Sequence, residues 1–237
     1  MNIQEELRKP FNENEIEWRV QQCGLSNGKP WAMVLCYVQA RAIQNRLDKV
    51  FGWNNWQVEY KTCNGDNNIL CRISAYDKEK GIWIYKEDGA SESNVEPFKG
   101  GISGALKRCA SSGFGIGRYL YNLTENFAEC STEAPPKEEK HLWKKALTKE
   151  RKTIYWKIPK LPSWALPPKA TKKDETDLIN LGSKANISHK MILSIINKDY
   201  GVKSIQDLDI DQYNEVYKRI NDKIIRKWDK QWYKQLI

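Results

Sequence analysis

The sequence predicts an α+β fold, an antiparallel β-sheet with helices packed on it. Two observations carry that expectation. Three β-prone segments follow one another between short polar turns, and stretches of helical periodicity stand before and after them. The predicted order is helix, strand, helix, three strands, helix, which suits a sheet with one helix laid across it.

The first element reads as a short helix. "NENEIEWRVQQCGL" (12–25) offers polar caps, early Glu13, Glu15 and Glu17, Ile16 and Val20 four apart, and Gly24 as a stop. "WAMVLCYV" (31–38) is apolar and β-prone, hence a buried strand. "QARAIQNRLDKVFGW" (39–53) sets Ala42, Ile43, Leu47 and Val50 on one helical stripe, with Gly52 as its end. "WQVEYKT" (56–62) alternates Trp56, Val58 and Tyr60 on one face. "NILCRISAY" (68–76) and "GIWIYKEDG" (81–89) are two further strands, joined through "CNGDNN" and "DKEKG". "PFKGGISGALKRCASSG" (97–113) returns to helix, weakened by its glycines.

Charge divides the chain. Residues 1–133 hold 16 Lys and Arg against 17 Asp and Glu. Residues 134–174 hold 12 against 4, together with six of the nine prolines. That stretch, with its "IPKLPSWALPPK", reads as an extended basic connector. A basic tract beside a near-neutral domain is a frequent nucleic-acid footprint, and equally the mark of a solvated linker. Beyond it, Leu178, Ile179 and Leu181, then Met191, Ile192, Ile195 and Ile196, then Tyr213, Val216, Tyr217, Ile220 and Ile224 fall at helical spacing. "SIQDLDIDQYNEV" supplies Asp and Asn as caps for the last helix. The predicted domains are 1–133, a linker over 134–174, and a helical module over 175–237.

Several function classes lose support on composition. No run of 18 apolar residues suggests a membrane span. The polar, acidic start is unlike a secretory signal, so a cytoplasmic protein with reduced thiols is expected. The six cysteines form no CxxC pair and there are two histidines, a poor supply for zinc. Gly113, Gly115 and Gly117 invite a phosphate-loop reading. A Walker loop needs a following Lys and hydroxyl, yet Arg118 and Tyr119 follow here. A dinucleotide fingerprint should follow a strand, and these glycines follow a helix. Asp77, Glu79, Glu87 and Asp88 sit at strand ends and turns, where solvated hairpin charges are the plain explanation. The chain is therefore expected to be no enzyme and to need no cofactor.

The glycines instead serve the backbone. Gly113 is expected as the left-handed helix stop, and Gly115 and Gly117 as a tight return that packs Tyr119, Leu120, Tyr121 and Leu123 onto the body. Lys107 and Arg108 then lie near the helix end and Arg118 just beyond. Adjacent helical residues diverge by about 100°, so Lys107 and Arg108 can grip successive phosphates along a groove.

The segment "YVQARAIQNRLDKVFGWNNW", the strands after it, and "GALKRCASSGFGIGRYLY" together resemble the Rad-fifty-two family of single-strand annealing proteins, in its phage Sak-type form. The shared features are the strand-end Tyr37, the helix with Arg41, "FGWNNW" at 51–56, "LKR" at 106–108 and "FGIGRYLY" at 114–121, with "LPSWALP" also similar to phage relatives. The likeness spans roughly 13–127.

The resemblance implies an ATP-independent protein of homologous recombination that binds single-stranded DNA and anneals complementary strands, as a ring or helical filament. It implies DNA in a groove between sheet and helices, with Lys107 and Arg108 on phosphates. A family cation after the Tyr37 strand falls on Ala42, with Arg41 as its substitute. Another, one turn after "LKR", falls on Ser111, with Arg118 as compensation. Lys99, in the same helical stretch, and Trp53, a loop aromatic that either stacks on a base or packs in the core, complete the expected DNA-binding set. The alternative is a protein that coats or recruits without annealing. An acidic edge of Glu5, Glu6, Glu13, Glu15 and Glu17 is expected to meet a basic neighbour in a homo-oligomer. The helical module could hold the acidic peptide of a host single-strand binding protein through Lys223, Arg226, Lys227 and Lys230, or be a plain accessory DNA-binding bundle, and an exonuclease is a further expected partner.

Overall fold

A computed structural model describes residues 2–63, 68–91, 97–123 and 126–235, with the side chains of residues 97 and 226–235 outside the description. The chain forms two compact units, Met1–Leu166 and Pro167–Ile237. The fold is α+β, as the strand and helix patterns predict. Among the described residues no helix is long and apolar enough to cross a membrane.

The first unit opens with α1 (Ile3–Arg8) and a long hairpin of β1 (Ile16–Ser26) and β2 (Lys29–Val38). Here the expected helix over 12–25 is overturned. Ile16 and Trp18 are buried while Arg19 between the strand's inner positions is exposed, a period of two. Ile16 and Val20 satisfied both periods, and the decisive signal lies downstream. Asn27 and Gly28 both take positive φ, 50° and 77°, the paired left-handed turn that matches strand twist. The hairpin register slips between Val20 and Gln22, a bulge that re-aims the strand.

Helix α2 (Ala40–Phe51) buries Ala42, Ile43, Leu47 and Val50, the predicted stripe. Each of the three larger side chains contributes roughly 1.5–3 kcal/mol by leaving water. Gly52, at φ 84°, ends the helix. Arg46 on the same helix is committed to structure. It donates to the carbonyls of Glu6, Lys9 and Pro10 and lies 4.0 Å over the Phe11 ring. The predicted strands follow as β3 (Trp56–Thr62), β4 (Asn68–Asp77) and β5 (Ile82–Ser91), one antiparallel sheet in the order β3-β4-β5. Helix α3 (Pro97–Cys109) packs on β4 and β5, burying Ala105, Leu106 and Cys109.

Two short strands, β6 (Phe127–Ala128) and β7 (Cys130–Ser131), lead away. β6 extends the first hairpin in the order β1-β2-β6. The basic stretch 134–174 is not an extended connector. Its middle folds into a hairpin of β8 (Trp143–Leu147) and β9 (Thr153–Lys157), which pairs with β7. Ile154, Trp156, Leu161 and Ala165 are buried in the first unit's core. Prolines bound the hairpin rather than interrupt it. Alternation in "TIYWK" provides the inward Ile154 and Trp156.

The second unit holds α4 (Lys172–Lys184), α5 (His189–Tyr200) and α6 (Ile210–Gln235), around a core that includes Leu178, Ile192, Ile196, Leu208 and Val216. It begins a few residues before the predicted 175. The expected cap of the last helix is present. Asp209 accepts from Gln212 N at 2.8 Å while Gln212 accepts from Asp209 N at 3.0 Å.

Candidate nucleic-acid interface

The end of α3 is built from irregular backbone. After Cys109 the helix widens into a π-helical turn, Ala110–Phe114, and closes at Gly115, φ 77°. This corrects the expected role of Gly113. Gly113 is not left-handed; a Cβ there would lie 2.4 Å from Lys86 Cβ, so glycine lets the turn press against β5. Gly117, φ 70°, turns the chain again and leads into a 3-10 turn, Arg118–Asn122. The Tyr119 hydroxyl accepts from Phe11 N at 2.9 Å and ties that turn to the body.

Lys107 and Arg108, adjacent on α3, reach different sheets. Lys107 Nζ lies 3.8 Å from Glu17 Oε2 on β1 and 5.8 Å over the ring of Tyr37 on β2. Glu17 and Tyr37 are cross-strand partners, so the hairpin register builds this seat. Arg108 Nε donates to Asp88 Oδ1 on β5 at 3.3 Å. The divergence of neighbouring helical residues thus sets one cation on each sheet. Their environments differ too. The Lys107 side chain is 16% exposed and that of Arg108 is 59% exposed. Burial pulls the Lys107 pKa below its ordinary value and Arg19 adds to this, against the opposing pull of Glu17. For Asp88, burial pushes upward, but hydrogen bonds from Ser112, Gly89 and Arg108 carry the pKa below the usual aspartate value.

Lys107 and Arg108 line a cleft of about 750 Å³, with Arg19, Tyr37 and Tyr121 also on its walls and Ile43 and Ile116 at its apolar base. Three cations and two tyrosines around one apolar-based cleft suit a chain of phosphates and flat bases. Among the described residues no group of three or more His, Cys, Asp or Glu is placed to hold a metal ion.

The other expected DNA-binding residues are spread out. Arg118 lies beside this site: its Nε donates to Ser111 O at 2.8 Å and its Nη2 donates to Ser112 O. It therefore caps the helix-end carbonyls, and brings a guanidinium to Ser111, where the resemblance implied a missing cation. Arg41 is exposed on the first turn of α2, Trp53 is 82% exposed in the turn after it, and Lys99 is exposed on α3. None of these three lines the cleft. Three of the five carboxylates of the expected acidic edge have partners within the chain. Glu6 pairs with Lys9 at 2.6 Å, Glu15 accepts from Asn12 N, and Glu17 meets Arg19 and Lys107.

Sequence reasoning missed Arg19 and misassigned Tyr121. Arg19 was hidden by the helical reading of 12–25; alternation of Glu17 and Arg19 with buried Ile16 and Trp18 was the available signal. Tyr121 was expected to pack on the body, but is 72% exposed. In the helical unit Lys223 is exposed, while the side chains of Arg226, Lys227 and Lys230 lie outside those described.

Comparison with known proteins bears on the first unit most. Residues 1–139 match the Rad52/22 family of double-strand break repair proteins. The single-stranded DNA-binding protein DdrA of Deinococcus radiodurans is 29% identical over 170 residues, covering 70% of this chain and 68% of that protein. Its namesake in Deinococcus deserti is 28% identical over 170 residues, covering 70% of this chain and 71% of that protein.

Proposed function

The chain belongs to the Rad52/22 family of double-strand break repair proteins, and from that premise we propose that it binds single-stranded DNA in the α3 cleft and anneals complementary strands. The observation that carries this reading is the placement of Lys107 and Arg108, with Arg19, Tyr37 and Tyr121, around one cleft within the family-matched residues. Phosphates held by cations reduce repulsion between two strands. Bases left accessible test a second strand, and stacking of each matched step supplies about 1.4 kcal/mol. Binding alone then suffices, without nucleotide hydrolysis, cofactor or enzymatic turnover.

One protomer with a few phosphate contacts binds weakly, so we place many protomers along one strand. The exposed apolar run Ile82, Trp83, Ile84 and Tyr85 on the edge strand β5 supports an assembled state, as ring or filament. The phage Sak-type assignment rests on "FGIGRYLY" and its companions alone. Recruitment of a single-strand binding protein or an exonuclease is assigned to the helical unit, on the exposed Lys223 and its basic sequence neighbours.

The test mixes complementary fluorophore- and quencher-labelled oligonucleotides with the protein, without ATP or magnesium. Wild type should accelerate quenching. Lys107→Ala/Arg108→Ala should abolish it and flatten the salt dependence of single-strand binding by about 1.4 in log–log slope, two contacts at ~0.7 each. Binding without any acceleration by wild type would favour the second reading, a coating or recruiting protein. The names of the two Deinococcus relatives, which speak of single-strand binding only, support that reading.

A further inference from the structure

The hairpin of β8 and β9 lies beyond the family-matched residues 1–139, yet within the first compact unit. Its strands pair lysine with aromatic at three successive cross-strand positions: Trp143 with Lys157, Lys144 with Trp156, and Lys145 with Tyr155. In each pair the ammonium stands over the partner ring, at 5.5, 5.7 and 5.7 Å. Strand alternation splits the three pairs between two faces. Trp156 is 2% exposed and faces the core, and Lys144 Nζ donates to Trp18 O, so this pair is structural. The other two pairs share the outer face.

Those two pairs differ in their neighbours. At the Trp143 end, Glu139 accepts from both Trp143 Nε1 and Lys157 Nζ, and Glu129 lies 3.7 Å from Lys157. Carboxylates already occupy that end. At the other end, half-buried Tyr155 and exposed Lys145 adjoin the turn "TKERK", where Lys149, Arg151 and Lys152 are exposed and Glu150 is the one acid. The turn is ordered by Thr148, which is 5% exposed. Its Oγ1 accepts from Lys152 N, and its backbone N donates to Lys152 O. One cation, Lys145, therefore stands at the Tyr155 ring, and three more are exposed in the adjoining turn of the same hairpin, with Glu150 beside Lys149 and Lys152 as the one acid among them.

We propose that Tyr155 with Lys145, Lys149, Arg151 and Lys152 forms a second contact for single-stranded nucleic acid, separate from the α3 cleft. The tyrosine ring carries one base and the turn cations hold the phosphates that flank it. Single-strand chemistry fits better than an acidic peptide because the cations come with an aromatic platform, and stacking is indifferent to base identity. The inference rests on the single-strand reading above.

Anisotropy of a fluorescent oligo-deoxythymidine with the full chain tests it across a salt series. Two hairpin variants are compared with Lys107→Ala/Arg108→Ala: Tyr155→Leu, which keeps apolar bulk, and Lys149→Gln/Arg151→Asn/Lys152→Gln. Asparagine suits position 151, whose φ is 59°. The triple variant should make the salt slope shallower by about 2, three contacts at ~0.7 each. Tyr155→Leu should weaken binding about tenfold with the salt slope unchanged. If the cleft variant weakens binding while both hairpin variants match wild type in affinity and slope, the second contact is overturned and the proposed function stands. If wild type binds no oligo-deoxythymidine, both fall. Loss of duplex binding by the hairpin variants, with single-strand binding intact, also overturns the assignment.

Discussion

The two compact units differ in how faithfully they keep local rules. In residues 167–237 each helix starts at a side-chain cap. Thr171 and Asp174 reciprocate at α4, Ser188 accepts from Met191 N at α5, and Asp209 and Gln212 reciprocate at α6. In residues 1–166, the end of α3 breaks rule after rule. A helix widens, two glycines within three residues turn left-handed, and a lysine sits mostly out of water. Locally consistent sequence specifies structure cheaply; departures persist where something else is selected. The departures gather at the cleft, which is why the proposed binding site is placed there rather than on the more basic-looking helical tail.

The largest expected effect breaks this contrast at one residue in each unit. Gly117 and Gly201 have nearly the same φ, 70° and 71°. A Cβ at Gly117 would lie 2.4 Å from Val38 Cγ2, whereas one at Gly201 meets nothing within 4 Å. Gly201→Ala should therefore cost about 1 kcal/mol for the left-handed backbone alone. Gly117→Ala should cost about 3 kcal/mol, because steric overlap adds to the same strain. Urea unfolding of the two variants checks the ordering. Equal losses would mean that the β2 contact yields easily and that the return after α3 is not tightly built.

The same contrast explains what was legible. Helix α2 was readable because its four buried residues follow one period and Gly52 ends it. The strands β3 to β5 were readable because alternation and turn residues agree. β1 was not, because Ile16 and Val20 fit a helix and a strand alike, and the choice lay in the Asn27–Gly28 turn. That one misreading also concealed Arg19. Lys107 and Arg108 were legible as a pair, but their seats were not. Glu17 and Asp88 come from strands that are distant in sequence, and only the folded sheets bring them to α3. The β8–β9 hairpin was masked by composition, since prolines on both sides made a five-residue alternation look like connector.

A smaller effect sharpens the comparison from the side of the regular unit. Thr171→Ala removes the hydroxyl that accepts from Asp174 N at 3.2 Å and releases the Asp174 carboxylate from it. The expected loss is about 1 kcal/mol, read as a lower midpoint for loss of helix signal. Strand annealing should be unchanged. A fall in annealing equal to that of the cleft variant would tie the helical unit directly to the activity.

The smallest effect is a change in pH dependence. The seat of Lys107 weakens its charge, because burial lowers its pKa from the ordinary 10.5. The sign follows directly. A lysine with a lowered pKa loses its proton at a lower pH than a solvated lysine does. Its grip on phosphate therefore fades as pH rises, and sooner than that of a solvated lysine, while the guanidinium groups of arginines stay charged. An oligo-deoxyadenosine probe isolates the protein, since adenine has no acidic proton in that range. Wild-type affinity should start to fall with rising pH earlier than the titration of solvated lysines would bring about, and Lys107→Arg should remove that early fall at the cost of a looser fit over Tyr37. Parallel profiles for the two proteins would mean that loss of the Lys107 proton does not weaken binding, so that the half-buried lysine joins α3 to β1 rather than holding DNA.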